Sequence, residues 1–407
     1  VKYQLVILTI TVFLAAAMFS ENNLSSPSHA NTVHIYSHTN SGNPAPRPKI
    51  QTAKQLYKKA VHYTISVDTQ WEDPKDTNNP NFPHKGSACA GVVIQPSTMP
   101  YVLTAEHCFA GAYTEKNFKV LINFSNGTSQ EAEVIGYNQI PLDVALLKFK
   151  DPNFKPAHIA PLGNSDELSE GEDVIGLGHP YGIMNHLTTG KISRLRVTEI
   201  PFYYGPGMIA SEIHIAPGNS GGPFFNMRGE LMGINQRINV NNLFAFGQFP
   251  AIPLAMPVNQ AIAVLPKLLQ GGEIKTADLG YHIENVNNLG QRELRDMGFA
   301  NRPRNAPMVL GSRTANPLAL PKLWPFSTLR EGDIILMYNG KPVKNCTDIK
   351  MQNLMLNPKD KVTVLILRNG SKILKEVELR DAKQILGTDN LLLLEKLWKL
   401  TLPLPKK

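Results

Sequence analysis

A mostly β fold in two domains is what the sequence predicts, and three observations predict it. From Val61 onward, short apolar or alternating runs rich in Val and Ile follow one another, separated by clusters of Gly, Pro, Asn and Asp, the pattern of an all-β barrel or sandwich. The stretch "VNQAIAVLPKLLQGG", from Val258, then carries apolar residues at helical spacing and stops on a Gly pair, which marks a domain boundary. At 407 residues the chain is too long for one ordinary core and suits two domains with tails.

The elements follow in order. Lys2 precedes the apolar "LVILTITVFLAAAMF" and the polar "SENNLSSPSHA", the layout of a secretory signal with a small-residue site ending at Ala30. Residues 1–30 are therefore expected to be a signal peptide or a membrane anchor. The apolar run is short for a spanning helix, which favours cleavage and export. Residues 31–57 are polar and Pro-containing without apolar periodicity, and read as a flexible lead-in. Residues 58–270 hold the strand candidates "AVHYTISVD", "ACAGVVIQ", "YVLTAEHC", "FKVLINF", "EAEVIGY", "VALLKFK", "DVIGLG", "MIASEIHIA", "GGPFF" and "GELMGIN", closed by the helix above. Residues 277–382 form a smaller unit with strands "YHIENV", "MVLGS", "DIILMYNG", "KVTVLILRNG" and "KILKEVEL" and the helix-like "CTDIKMQNLML"; "RNGSK" is a hairpin signal. Residues 383–407 are a tail whose amphipathic "NLLLLEKLWKL" reads as a terminal element docking on the body rather than a membrane contact.

Composition narrows the partners. The formal net charge is +8, but Lys and Arg are scattered, with no Arg-rich arm and no interleaved aromatics, so nucleic acid is a poor fit. No His and Cys cluster at metal-ligand spacing, and neither a metal nor an organic cofactor is expected. The three cysteines are Cys89, Cys108 and Cys346, and an exported chain can hold a disulfide.

Acyl transfer by serine needs a base beside the hydroxyl, a carboxylate that holds the base in the right tautomer, and N–H donors for the oxyanion. The sequence offers one candidate for each role. "VLTAEHC" puts His107 just past a β-run, "PLDVALLKF" puts Asp143 ahead of a buried strand, and "PGNSGG" puts Ser220 in a tight Gly-rich turn. Each alone reads equally as a structural His, a turn Asp or a hairpin loop. In the order His, Asp, Ser on an exported β-rich chain they point to a catalytic triad.

At these residues the chain resembles the chymotrypsin-like serine proteases, through "TAEHC", "DVALLKF" and "GNSGGP". It is similar more narrowly to the HtrA/Deg branch, through "GLGHPYGIMNHLTTGKISRL", "GNSGGPFFNMRGELMGIN" and "LAMPVNQA". The resemblance covers residues from about 60 to 265 and implies a double β-barrel with the site in the cleft between barrels. His107 is then the general base, Asp143 its orienting partner and Ser220 the nucleophile. Gly218, Asn219 and Ser220 would supply the oxyanion hole through backbone N–H groups.

Three departures accompany the resemblance. The His block ends in Cys108, as in trypsin-like enzymes, with Cys89 where the partner cysteine of those enzymes lies; a Cys89–Cys108 disulfide would brace the base-bearing turn, and two reduced buried thiols are the alternative. Pro223 is also trypsin-like. His214, six residues before the nucleophile, stands where the primary specificity pocket is lined, and reads either as a pocket residue favouring an acidic side chain or as a core residue. The 277–382 unit resembles a PDZ domain through "LREGDIILMYNGKPV" and "DLGYHI", which implies that Leu279, Gly280 and Tyr281 receive a peptide carboxylate. Asp278 is an awkward neighbour for that anion, and the insertion "ANPLALPKLWPFST" departs from the compact turn usual there.

Together these readings give an exported, periplasmic or secreted serine endopeptidase of protein quality control. It is expected to act on unfolded or misfolded proteins, to sense peptide C-termini through the PDZ unit and to assemble as a homotrimer; membrane association through the N-terminus is the alternative to cleavage, should residues 1–30 stay as an anchor. The alternatives are a non-catalytic chaperone or scaffold that binds extended chains, and a narrowly specific secreted endopeptidase.

Overall fold

The computed structural model of the chain describes residues 48–72, 84–109, 112–114, 117–198, 205–239, 252–299, 306–312 and 328–384. The signal or anchor segment, the lead-in before residue 48, the insertion up to residue 327 and the tail beyond residue 384 lie outside the described residues. Among the described residues no helix is long and apolar enough to cross a membrane.

Two barrels carry the site. The first is built from β1 (Thr64–Glu72), β2 (His84–Ile94), β3 (Tyr101–Thr104), β4 (Lys119–Asn123), β5 (Ser129–Asn138) and β6 (Val144–Phe149), in the order β6-β3-β2-β1-β4-β5, closed by β5 pairing with β6. The second is a closed barrel of β7 (Asp173–Gly178), β8 (His186–Val197), β9 (Met208–Ser211), β10 (Pro223–Asn226), β11 (Leu231–Asn239) and β12 (Ile252–Pro257), in the order β10-β11-β12-β9-β8-β7. Renumbered from its own first strand, the second barrel has the same cyclic strand order as the first. Closure removes the exposed edges that an open sheet of these strands would present. The runs read as strands in the sequence are the apolar ones: β6 buries Val144, Ala145, Leu146, Leu147 and Phe149. One core cluster joins the barrels, with Ile175, Phe225 and Ile234 of the second packed among Ile65, Val92 and Leu103 of the first.

Two of the elements that depart from the sequence reading show why. Residues 51–57, taken into the flexible lead-in, are docked: Gln51 N–H donates to the Met227 carbonyl at 2.8 Å, and α1 (Ala53–Ala60) follows a Thr52–Gln55 capping box. Burying Leu56, 1% exposed, contributes roughly 2 kcal/mol and fixes this helix to the body. The sequence hides it because only Leu56 and Ala60 of its eight residues are buried. Likewise β8 went unseen because only Ile192 and Val197 of its twelve residues are buried.

After α2 (Val258–Leu268), β13 (Gly272–Glu273) pairs in parallel with β5, and Asn138 Nδ2 donates to the Ile274 carbonyl at 3.0 Å, so the connection is tied to the first barrel. The second unit opens with β14 (Ala277–Asp278), pairing with β21 (Arg380–Asp381) at its end. Its sheet runs β15 (Tyr281–Asn285), β16 (Pro307–Ser312), β17 (Ile334–Tyr338), β19 (Lys361–Arg368) and β20 (Ser371–Glu378), with β18 (Lys341–Pro342) on β17. The helices α3 (Gln291–Asp296) and α4 (Cys346–Met355) belong to this unit. Asn369 and Gly370, at φ 49° and 78°, make the tight hairpin turn that "RNGSK" predicts. Thr347 Oγ1, on α4, donates to the Pro206 carbonyl of the second barrel at 2.8 Å.

Candidate active site

β3 ends at Thr104, and the chain turns through a 3₁₀ segment, Glu106–Phe109, that presents His107. Asp143 lies just before β6 with φ 54°, a left-handed conformation that Asp tolerates better than most residues. From there its carboxylate makes two bonds to one residue. Oδ1 accepts from the His107 backbone N–H at 2.9 Å, and Oδ2 lies 2.8 Å from Nδ1. A carboxylate only accepts, so Nδ1 carries the proton and the Nε2 lone pair is the basic one. Asp143 is 2% exposed, which keeps this pairing away from competing water.

Ser220 comes from the second barrel, in the loop before β10. Its carbonyl accepts from Ala90 N–H of β2 at 2.8 Å, fastening the loop to the first barrel. Gly221 follows at φ 80°, where a Cβ would stand 2.1 Å from Thr104 Oγ1 and 2.3 Å from the Ala90 carbonyl oxygen, so only glycine allows the approach. Gly218, at φ 102°, is constrained in the same way by the His179 carbonyl, 2.3 Å from a Cβ. The Ser220 hydroxyl donates to the Gln236 carbonyl at 3.3 Å.

The oxyanion-hole expectation needs one correction. Asn219 N–H donates to the Ala216 carbonyl at 2.9 Å, and a backbone amide has a single proton. Among the described residues neither the Gly218 nor the Ser220 N–H is bonded to another group, so these two amides are free to donate. His214 is also settled in part. It is exposed, so the reading as a core residue fails.

Cys89 and Cys108 are joined by a disulfide, and Cys346 is a buried free thiol. The link ties β2 to the turn that carries His107, as the resemblance implied. Both sulphurs and a His107 ring nitrogen lie within 4.8 Å of one another, but the S–S bond removes the thiolates that a metal would need. Replacing both cysteines with alanine is expected to lower the free energy of unfolding by about 3 kcal/mol, the chain-entropy value for a loop closed across 19 positions. Urea unfolding of the full chain reads it; an unchanged midpoint would assign the link no stabilising role.

Sequence reasoning missed Gln236. Its Nε2 donates to the Leu142 carbonyl and, at 2.8 Å, to the Asp143 carbonyl, while its own carbonyl holds the Ser220 hydroxyl. This β11 residue, 2% exposed, therefore ties the Asp143 turn to the loop that carries Ser220. Nothing in "GINQRI" signals it, because the register that turns Gln236 inward comes from a bulge between Asn235 and Arg237.

His179, inside the quoted "GLGHPYG", also holds the nucleophile loop: its N–H donates to the Gly218 carbonyl at 3.2 Å, and Nδ1 accepts from Asn185 N–H at 3.0 Å. Burial pushes this imidazole below the ordinary histidine range, against the smaller opposing effects of the Ile65 backbone and Asp68. A depressed imidazole is more easily protonated in the unfolded chain, so its contribution to stability is present above about pH 6.5 and is lost as pH falls below it. His179→Asn is expected to flatten the fall in urea midpoint between about pH 7.5 and 5, and an unchanged slope would contradict this.

In the second unit, Leu279 and Tyr281 are buried, and Gly280 N–H donates to Asp278 Oδ1 at 2.7 Å. The loop expected to receive a carboxylate thus has one amide already bonded to a carboxylate of its own chain.

Comparison with known proteins agrees with this geometry. A family model described as a trypsin-like peptidase domain matches residues 89–234. The chain is 31% identical over 301 residues to a "Probable periplasmic serine endoprotease DegP-like" of Ectopseudomonas mendocina (strain ymp), covering 74% of this chain and 58% of the relative. It is 32% identical over 283 residues to a protein of the same description from Pseudomonas putida (strain GB-1), covering 70% and 54%. The chain therefore spans a little over half the length of these curated relatives. Among solved structures, the HtrA-type protease AlgW with a tripeptide superposes with TM-score 0.60 at 21% identity, over 81% of this chain and 97% of that one. AlgW with a decapeptide gives TM-score 0.58 at 22% identity, over 81% and 98%. At such identity the likeness establishes the shared fold.

Proposed function

The chain belongs to the HtrA family of trypsin-like serine proteases, and from that membership we propose that it is an exported, periplasmic serine endopeptidase hydrolysing unfolded or misfolded proteins. The observation that carries the reading is the His107–Asp143 pair at 2.8 Å, beside a nucleophile loop fastened to the same barrel. Catalysis starts when the Ser220 hydroxyl exchanges the Gln236 carbonyl for His107 Nε2 as its acceptor. His107 takes the proton as Ser220 Oγ attacks the scissile carbonyl, and Asp143 stabilises the imidazolium. The developing oxyanion is bound by the Gly218 and Ser220 N–H groups. Collapse expels the amine with the proton from His107, and water then releases the acyl group by the reverse sequence.

His214, exposed and six residues before the nucleophile, is proposed to influence side-chain choice at the primary pocket, favouring an acidic residue when protonated. Residues 277–382 are read as a PDZ domain. A ligand carboxylate at Leu279, Gly280 and Tyr281 must displace Asp278 to reach the Gly280 N–H. Homotrimeric assembly completes the reading, with association with the membrane only where residues 1–30 are kept as an anchor instead of being cleaved.

The test is to incubate the full chain with a reduced, alkylated protein and with the same protein folded. Fragments from many sites of the unfolded form alone are expected. Cleavage at a single sequence would favour the narrowly specific enzyme. Tight binding without cleavage, even with a C-terminal peptide added, would favour the chaperone or scaffold.

A further inference from the structure

The turn that carries His107 holds a second ionisable group for which the peptidase mechanism has no use. Glu106 is 4% exposed, and its Oε1 accepts from the Tyr113 hydroxyl at 3.0 Å. Tyr113 is held in turn by stacking on Tyr137 of β5, with ring centroids 4.3 Å apart. The ionisable groups acting on this carboxyl are His107 from the same turn, Asp143 from the turn before β6, Tyr113 from the adjacent 3₁₀ segment and Glu273 from β13; Tyr137 of β5 faces the same cluster. Of these, His107 is the one group that becomes cationic.

We infer that Glu106 is a positioning residue for the His107–Asp143 pair, a second buried carboxyl whose ionisation stabilises the imidazolium formed during catalysis. The inference rests on the peptidase reading. Its basis is local: a glutamate beside the catalytic base, sealed from solvent and anchored by one hydroxyl. A buried carboxyl without a cation partner destabilises the fold, and an apolar residue or glutamine would avoid that cost. An acid at this place is understandable if its charge acts on its neighbour.

The sign is fixed by the electrostatics. Burial, and then the charge of Asp143, push Glu106 up to about 7, against the lowering effects of the Tyr113 bond and of His107. Below that point the carboxyl is neutral and adds little; above it the anion favours the protonated imidazole. The coupling is reciprocal, so each proton gained by His107 makes Glu106 easier to ionise. An exposed glutamate, ionised at all working pH values, would make a constant and heavily screened contribution.

Two variants of the full chain test this. For wild type, kcat on an unfolded substrate is expected to rise in two steps, the upper one near the Glu106 ionisation. Glu106→Gln should keep the lower step, lose the upper one and reach a plateau about tenfold lower, the effect of a one-unit change in imidazole proton affinity. Tyr113→Phe removes a bond to the ionised carboxylate and should move the upper step to higher pH. Independently of turnover, the His107 ring titrated by NMR in a Ser220→Ala background should lose its proton at a pH about one unit lower when Glu106→Gln is added. Superimposable rate profiles with an unmoved His107 midpoint would overturn the inference. A wild type inactive at every pH whose His107 midpoint still moves would instead remove the peptidase reading and leave the coupling in place. Should Glu106→Gln fail to fold, a Tyr113→Phe profile identical to wild type overturns the inference by itself.

Discussion

Ser220→Ala is expected to lower kcat by about 10⁶-fold with KM on an unfolded substrate changed by no more than about twofold, because the nucleophile, base and orienting acid act as a unit. The substitution removes one hydroxyl, whose bond is to the Gln236 carbonyl, and leaves the loop in place. That loop is held by the Ala90 and Gly221 amides, bonded to the Ser220 and Asn235 carbonyls at 2.8 and 2.7 Å, and neither bond involves the side chain. The variant should therefore unfold at the wild-type urea midpoint and still bind extended chains. Active-site-titrated kinetics read the result, and residual turnover within about tenfold of wild type would remove Ser220 from the chemistry.

Asp143→Asn should cost about 10⁴-fold in kcat for a different reason. Asparagine keeps an oxygen to accept from the His107 backbone N–H, but it offers an amide N–H to Nδ1 where the carboxylate accepted. The imidazole is then driven to the tautomer with its proton on Nε2, which cannot take one from Ser220. Burial leaves the substituted amide no water to bond to instead, since residue 143 is 2% exposed. Steady-state kinetics test this: a loss smaller than about tenfold would mean that the tautomer is set by another group.

How far these residues could be read in advance follows from what each depends on. His107, Asp143 and Ser220 could be proposed together because three separate blocks carry them in one order on a strand-rich chain, and the structure pairs the first two. The Cys89–Cys108 link was legible once the resemblance placed both strands. Among the strands visible in the sequence β6 is buried along most of its length, whereas β8, which went unseen, presents most of its side chains outward. Asn219 was expected as an oxyanion donor together with its neighbours Gly218 and Ser220. Its N–H is consumed by a turn bond to Ala216 that sequence spacing does not encode. Gln236 and Glu106 are long polar residues of the kind usually found at a surface, and both are buried here through tertiary packing alone. Asp278 was noted as an awkward neighbour for an anion, and its bond to Gly280 N–H gives that awkwardness a geometry.

The account turns on Ser220 being an activated nucleophile, and covalent capture by a fluorophosphonate followed by peptide mapping tests this most directly. The account predicts one adduct, on the peptide containing Ser220, formed by the wild type and lost in His107→Ala. An unmodified wild type, or an adduct on a different serine, would contradict it.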